Sequence, residues 1–220
     1  ISGGIQNTII SSSSGTIAGG SNNFCTGATG STISGGILNS ISNSAFAFIS
    51  GGRSNNINLS TYAIVGGGHA NGVTGSLIAG ILSGAANNIN SSDFAVISGD
   101  RNNINSSDSA IISAGQSNTI NSSDGAVISG GNSNGINSSG VAVISGGQFN
   151  TINASLLAMI GGGFTNRVNG SAHASILSGA HHNINSSNHA VISGGQSSYI
   201  NLSTNTIVGG GFTNGVTGSV

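Results

Sequence analysis

A repeat of 16 residues runs through the chain and constrains its fold more than any other feature. Twelve of the thirteen intervals between its marker residues are 16 residues long and one is 15. A fixed period of this length is typical of a chain that stacks one small structural unit many times. The marker, position 1 of the repeat, is aliphatic with one exception and recurs at Ile9, Cys25, Ile41, Ile57, Val73, Ile89, Ile104, Ile120, Ile136, Ile152, Val168, Ile184, Ile200 and Val216.

The repeat unit favours strands over helices. Gly recurs every few residues, Ser and Asn compete for backbone hydrogen bonds, and the apolar positions do not follow a helical spacing. Short alternating segments between Gly and Asn turns are typical of strands. A single unit cannot bury its own apolar face, whereas a stack of units can. The sequence therefore predicts an all-β parallel β-solenoid, or β-roll, of about fourteen 16-residue coils, forming one repeat domain over residues 1–220. Positions 1, 7 and 9, as in Ile120, Ala126 and Ile128, form its predicted core.

Position 15 is Asn in twelve of fourteen units, with His182 and Ser198 as the exceptions. Stacked Asn amides can hydrogen-bond from one coil to the next, and Asn suits turns, so we predict a structural ladder. A Gly pair at positions 11 and 12, as in Gly130-Gly131, predicts a turn with positive φ. The ladder consists of Asn7, Asn23, Asn39, Asn55, Asn71, Asn87, Asn102, Asn118, Asn134, Asn150, Asn166 and Asn214.

Position 8 lies between two inward positions, so strand alternation turns it outward. It is nevertheless apolar in most units, which predicts a stripe for self-assembly into a symmetric oligomer or filament. The alternative is that position 8 lies at a bend and is internal. The stripe comprises Phe48, Ile64, Val96, Ile111, Val127, Val143, Met159, Val191 and Ile207.

Asn at position 2 creates Asn-x-Ser sequons that all share one phase of the repeat. A row of glycans would make a rod with few charges more hydrophilic, so N-glycosylation is one hypothesis. Descent from one ancestral unit explains the shared phase equally well. The sequons begin at Asn58, Asn90, Asn105, Asn121, Asn137, Asn153, Asn169, Asn185 and Asn201.

The chain has only 3 Lys plus Arg and 4 Asp plus Glu among 220 residues. A typical domain is about 25% charged, so several classes of protein are excluded. Nucleic-acid binding needs clustered cations, and a membrane span needs ~18 consecutive apolar residues. The chain has neither, and it contains no Lys or Glu. We therefore expect no nucleic-acid partner, no membrane insertion, no catalytic residue and no enzymatic activity.

Two columns of side chains have the composition of weak metal sites. Asp93, Asp108 and Asp124 occupy position 5 of successive coils and could hold Ca²⁺, although a solvated edge is the favoured interpretation. His173 and His189 lie near one phase of adjacent coils, where a surface ladder is favoured over a metal site. No other cofactor is expected. The turn aromatics, Tyr62, Phe149, Phe164, Tyr199 and Phe212, could contact sugars or a neighbouring rod.

The units at Val168 and Val216 begin with the order aliphatic-x-Gly-Ser, and other units have Ser in place of this Gly. Together with Ala at position 7, Ile at position 9, the Gly pair and the Asn ladder, this order resembles the head repeats of YadA-like trimeric autotransporter adhesins. The resemblance covers essentially the whole chain. It implies a left-handed parallel β-roll, a homotrimer in which position 8 faces the partner chains, and a place outside the cell or on its surface, where cell-surface or matrix glycans are potential ligands.

Both ends of the sequence, Ile1 and Val220, fall in mid-unit, which predicts end-to-end continuation in a longer chain or between subunits. The leading functional hypothesis is an extracellular structural or adhesive fibre protein. The alternatives are an ice-binding solenoid, a phage or virus tail-fibre shaft, and a solenoid enzyme acting on polysaccharide. Clustered acids or bases, which such an enzyme needs, are absent from the sequence.

Overall fold

A computed structural model describes residues 1–218; Ser219 and Val220, the end of the last predicted unit, lie outside the described residues. The chain is an all-β parallel β-solenoid of about 13 coils with about 16 residues per turn, which confirms the predicted fold class. Residues 1–218 contain no helix, and hence none long and apolar enough to cross a membrane. The left-handed coiling stays a prediction. The contacts divide the chain into two compact units, Ile1–Ser109 and Ala110–Val220.

In the first unit, odd-numbered strands form one parallel sheet and even-numbered strands form another. The odd-numbered strands are β1 (Thr8–Ile10), β3 (Phe24–Thr26), β5 (Ser40–Ser42), β7 (Asn56–Asn58), β9 (Gly72–Thr74), β11 (Asn88–Asn90) and β13 (Asn103–Asn105). The even-numbered strands are β2 (Thr16–Ile17), β4 (Thr32–Ile33), β6 (Phe48–Ile49), β8 (Ile64–Val65), β10 (Gly80–Ala85) and β12 (Val96–Asp100).

The second unit repeats this arrangement. Its odd-numbered strands are β15 (Thr119–Asn121), β17 (Gly135–Asn137), β19 (Thr151–Asn153), β21 (Arg167–Asn169), β23 (Asn183–Asn185), β25 (Tyr199–Asn201) and β27 (Gly215–Thr217). Its even-numbered strands are β14 (Ile111–Ile112), β16 (Val127–Ile128), β18 (Val143–Ile144), β20 (Met159–Ile160), β22 (Ser175–Ile176), β24 (Val191–Ile192) and β26 (Ile207–Val208).

The register of the sheets places each repeat position above itself. Ile136 of β17 lies opposite Ile152 of β19, and Ile128 of β16 lies opposite Ile144 of β18. Position 1 is the central residue of every odd-numbered strand and position 9 is the second residue of every even-numbered strand. Both columns are buried together with position 7, as predicted for the core, except in the terminal coils, where Ile9 and Val216 are half-buried. Cys25 takes the place of an aliphatic residue there, and burial raises the pKa of its thiol.

The one 15-residue coil, in the first unit, is accommodated by a bulge. The register between β10 and β12 shifts after the pair Ile81 and Ile97, so that Leu82 and Ser83 lie opposite the single residue Ser98. Pairing resumes at Gly84 and Gly99. A bulge of this kind absorbs one missing residue without disturbing the coils on either side.

Position 12 is Gly in every coil, and the structure shows why. All fourteen of these residues have φ between +86° and +109°, which confirms the predicted positive-φ turn at this position. A Cβ on Gly147 would also collide with the carbonyl oxygen of Gly163 in the next coil. Position 11, its partner in the Gly pair, tolerates side chains, since Ser83, Ala114 and Ser178 occupy it.

We expect Gly147→Ala to destabilise the second unit by about 1–3 kcal/mol, because the methyl group adds a steric clash to a strained φ. The matched control is Gly146→Ala, since a Cβ on Gly146 would meet no atom within 4 Å. Urea unfolding followed by circular dichroism compares the two variants. Equal unfolding midpoints would contradict this account of the turn.

Candidate functional site

The position-15 ladder is structural and is buried from Asn23 to Ser198, whereas Asn7 is half-buried and Asn214 is exposed. Asn134 shows its geometry. Its Nδ2 donates to the carbonyl oxygens of Gly130 (3.1 Å) and Gly147 (3.0 Å), and its Oδ1 accepts from the backbone N–H of Asn150 (3.0 Å). Each amide therefore ties its own turn to the next coil. The predicted contact between stacked amides is the smaller part of the bonding. An Asn side chain donates directly to another from Asn23 to Asn7 and from Asn87 to Asn71. The amides of Asn39, Asn55 and Asn150 instead bond to backbone.

His182 and Ser198 interrupt this ladder in the second unit. The His182 Nδ1 accepts from the backbone N–H of Ser198 (3.1 Å), and its Nε2 lies 3.1 Å from the carbonyl oxygen of Gly195. These contacts require a neutral ring with the proton on Nε2. Burial lowers the pKa of His182, and the neighbouring His181 lowers it further, while the backbone contacts oppose the shift. The Ser198 side chain is too short to replace Asn. Within residues 1–218, its Oγ is the one buried side-chain polar atom without a hydrogen-bond partner.

The stability of the second unit should therefore fall at mildly acidic pH. Unfolded His binds a proton near pH 6.5, whereas folded His182 resists protonation until a lower pH. The stabilisation that neutral His182 contributes is fully present above about pH 6.5. As the pH falls below this value, the free energy of unfolding decreases by at most about 1.4 kcal/mol per pH unit.

Thermal unfolding between pH 7.5 and 5 measures this effect. We expect His182→Asn to remove the His182 component of the pH dependence, because Asn restores the ladder without a titrating group. His189→Asn, at an exposed turn, is the control and should retain it. The interpretation is wrong if His182→Asn and the unaltered chain lose stability in parallel.

A second buried ladder, which the sequence reasoning missed, occupies position 4. Ser139 Oγ donates to the carbonyl oxygen of Asn137 (2.8 Å) and accepts from the backbone N–H of Ser155 (3.0 Å). The same pattern connects Ser155 to Ser171 (3.1 Å) and Ser171 to Ser187 (2.9 Å). Ser occupies position 4 in nearly every unit, and this regularity could have indicated the ladder from the sequence.

The Asn and the Ser of each sequon both belong to ladders, the Asn at position 2 and the Ser at position 4. The position-2 Asn side chains face outward from the odd-numbered strands, are half-buried, and bond to one another, as in Asn121–Asn137 (3.0 Å) and Asn153–Asn169 (3.0 Å). The Ser of each sequon is the buried position-4 Ser. Both sequon residues thus have a structural role, which accounts for their common phase. N-glycosylation stays a prediction, and it would require an Asn to leave its ladder.

Position 8 faces outward, as predicted, and the alternative of an internal bend is wrong. In the second unit Ile111, Met159 and Ile207 are 37%, 36% and 72% exposed, and the three Val residues of the stripe are half-buried. In the first unit Phe48 and Ile64 are 36% and 48% exposed. We call this outer surface of the even-numbered strands, at positions 8 and 10, the aliphatic face of each unit.

The two columns considered as weak metal sites are a column of carboxylates bonded to backbone and a pair of stacked His rings. The Asp93 carboxylate accepts from the backbone N–H of Leu77 (2.7 Å), and that of Asp108 accepts from the N–H of Asp93 (2.9 Å). The rings of His173 and His189 stack in parallel at 4.8 Å, so that neither ring points its nitrogens at the other. Residues 1–218 contain no group of three or more His, Cys, Asp or Glu arranged to hold a metal ion.

The turn aromatics do not form a single cluster. Tyr62 stacks on Phe46 in the first unit, with ring centroids 5.3 Å apart. In the second unit Phe149 meets Phe164 edge to face at 5.9 Å, and Phe164 meets His181 in the same way at 5.4 Å. The Tyr199 ring lies over Gly215 of the next coil, and Phe212 is 71% exposed.

No protein-family model and no curated protein sequence matches the chain. Among solved structures it is similar to a protein described as an acetyltransferase from Desulfovibrio desulfuricans G20, with 10% identity, a TM-score of 0.23, and coverage of 93% of this chain and 70% of that one. It is also similar to UDP-N-acetylglucosamine acyltransferases from Campylobacter jejuni (13% identity, TM-score 0.23, coverage 74% and 63%) and Bacteroides fragilis 9343 (12%, 0.15, 88% and 62%).

The chain thus spans less than two thirds of the length of both UDP-N-acetylglucosamine acyltransferases. At these identities and TM-scores the matches carry no argument about activity. That the chain is not an enzyme stays a prediction.

Proposed function

We propose that the protein is an extracellular structural or adhesive fibre component that assembles with copies of itself through the aliphatic face. The observation that carries the proposal is the exposure of apolar side chains along that face. In the second unit the stripe runs over β14, β16, β18, β20, β24 and β26. Extended apolar surfaces of this kind normally mark an interface, because covering them removes apolar area from water.

In two coils the face keeps its apolar character through position 10 where position 8 is not apolar. Position 8 of β22 is Ser175, and two residues later on the same face stands Leu177, which is 45% exposed. In the first unit Gly80 holds position 8, and Leu82 follows with 61% exposure. No charged residue occupies position 8 or 10 in any coil of residues 1–218. This compensation favours an interface that takes an apolar side chain from most coils; the coil with Thr32 and Ser34 at these positions supplies none.

The proposed oligomer is a homotrimer, as the resemblance to adhesin heads implies. Each unit offers one aliphatic face, and rotational symmetry would bring three such faces together around one axis. The amide-lined outer surface of the odd-numbered strands would then remain in contact with water. The extracellular location rests on the same resemblance.

Sedimentation velocity at micromolar concentration tests the assembly. The unaltered chain should sediment as a trimer or larger species, and Val143→Lys should shift it toward monomer by placing an ammonium group within the apolar interface. Thr151→Lys adds the same charge to the other sheet, at the repeat position where Arg167 already stands, and should not change the assembly. A monomeric unaltered chain, or equal behaviour of the two Lys variants, would overturn the proposal.

A further inference from the structure

A shallow cleft of about 260 Å³ opens in the second unit, on the corner that leads into the odd-numbered strands. It is lined by Thr165, Arg167, His181, His182 and Asn183. Arg167 begins β21 and Asn183 begins β23, and these residues are register partners in adjacent coils. The cleft is slightly smaller than the roughly 300 Å³ at which small-molecule pockets begin. It therefore suits one ring of a longer ligand.

His182 belongs to the position-15 ladder, but the other polar side chains that line this cleft form no hydrogen bond within residues 1–218. The Arg167 guanidinium, the Asn183 amide and the Thr165 hydroxyl form no side-chain hydrogen bond or ion pair within residues 1–218. The His181 ring makes only its edge contact with Phe164. Polar groups that the fold does not use thus lie close together here, whereas the buried Asn and Ser columns bond from coil to coil.

The surroundings of the cleft select an anionic ligand. Residues 125–220 contain no Asp or Glu, and Arg167 is the one Arg in that stretch. Its guanidinium forms no ion pair within residues 1–218. A guanidinium binds a carboxylate with two parallel N–H···O hydrogen bonds, which gives both energy and orientation. Thr165 and Asn183 can supply further hydrogen bonds to hydroxyl groups beside it.

An aromatic wall adjoins these donors. Phe164 packs edge to face against His181, and Phe149 packs against Phe164 in turn. Phe164 and Phe149 are 42% and 48% exposed, so this aromatic cluster, which reaches the cleft through His181, offers apolar surface. A sugar ring has an apolar C–H face and a polar rim, and the combination of aromatic surface with a few placed polar groups matches both.

We propose that this cleft binds a sugar that carries a carboxylate, such as a uronic acid residue of an acidic polysaccharide. Arg167 holds the carboxylate, Asn183 and Thr165 bind hydroxyl groups, and the Phe164 side supplies the apolar contact. The inference deepens the adhesive part of the proposed function, and it is independent of assembly, because the cleft and the aliphatic face belong to different sheets.

Isothermal titration calorimetry with tetragalacturonic acid tests the proposal, and the fully methyl-esterified tetramer is the control ligand. The ester keeps the sugar rings and removes the charge. We expect the ester to bind the unaltered chain at least tenfold more weakly than the acid. Arg167→Gln should weaken acid binding at least tenfold, and Phe164→Gln should weaken it severalfold while fitting a column that already contains Gln148 and Gln196. Arg53→Gln, in the first unit, is the matched control and should bind as the unaltered chain does.

Three results would overturn the inference: no binding of the acid at millimolar concentration, equal binding of acid and ester, or full binding by Arg167→Gln. Inorganic phosphate provides a further arm. If it competes at the same concentration as the tetramer, the cleft is a general anion site and the sugar assignment is wrong. If monomeric Val143→Lys still binds the acid, the cleft binds its ligand without assembly. If the sedimentation test fails but the acid binds, the assembly proposal is wrong and the cleft proposal still holds.

Discussion

Hydrogen bonding from one coil to the next, at the turns as well as along the strands, is the interaction on which the rest of the structure depends. The strands are only two or three residues long in most coils, so strand pairing alone joins a small part of each coil to its neighbour. The buried Asn and Ser columns continue the bonding through the turns, because each side chain bonds to backbone of its own coil and of an adjacent one. The invariant Gly at position 12 lets adjacent turns approach closely enough for this bonding.

Stacking also explains the scarcity of charge. Every position is repeated at about 4.8 Å in the next coil, so a charge copied with the repeat would stand directly above its like. The Asp column of the first unit moderates this repulsion, because the carboxylates of Asp93 and Asp108 accept backbone N–H groups of the preceding coil. Neutral amides and hydroxyls tolerate stacking better, because each can donate to one neighbour and accept from the other.

The sequence predicted the solenoid, its core columns, the outward stripe and the positions of the Asn ladder, because each of these is a periodic pattern of side chains. It did not predict the bonding partners within the Asn ladder, since spacing alone does not show whether an amide faces another amide or a carbonyl group. It also missed the left-handed backbone of many residues other than Gly, such as Ser133, Ser138 and Leu157 at three different turn positions. Their strain is offset by N–H bonds to the preceding coil, for example from Ser133 to Gln116 at 2.9 Å. The Arg167 cleft breaks the repeat, so periodicity could not reveal it.

Hydrogen exchange of individual backbone amides, followed by NMR under native conditions, tests the central claim most directly. The N–H groups of Asn134, Asn150 and Asn166 lie in turns, yet each donates to a buried Asn Oδ1 of the preceding coil at 3.0 Å. If the ladder holds the coils together, these amides should exchange as slowly as those of the strand residues Ile136 and Ile152. Exchange at the rate of open surface turns, while the strand amides stay protected, would contradict the account.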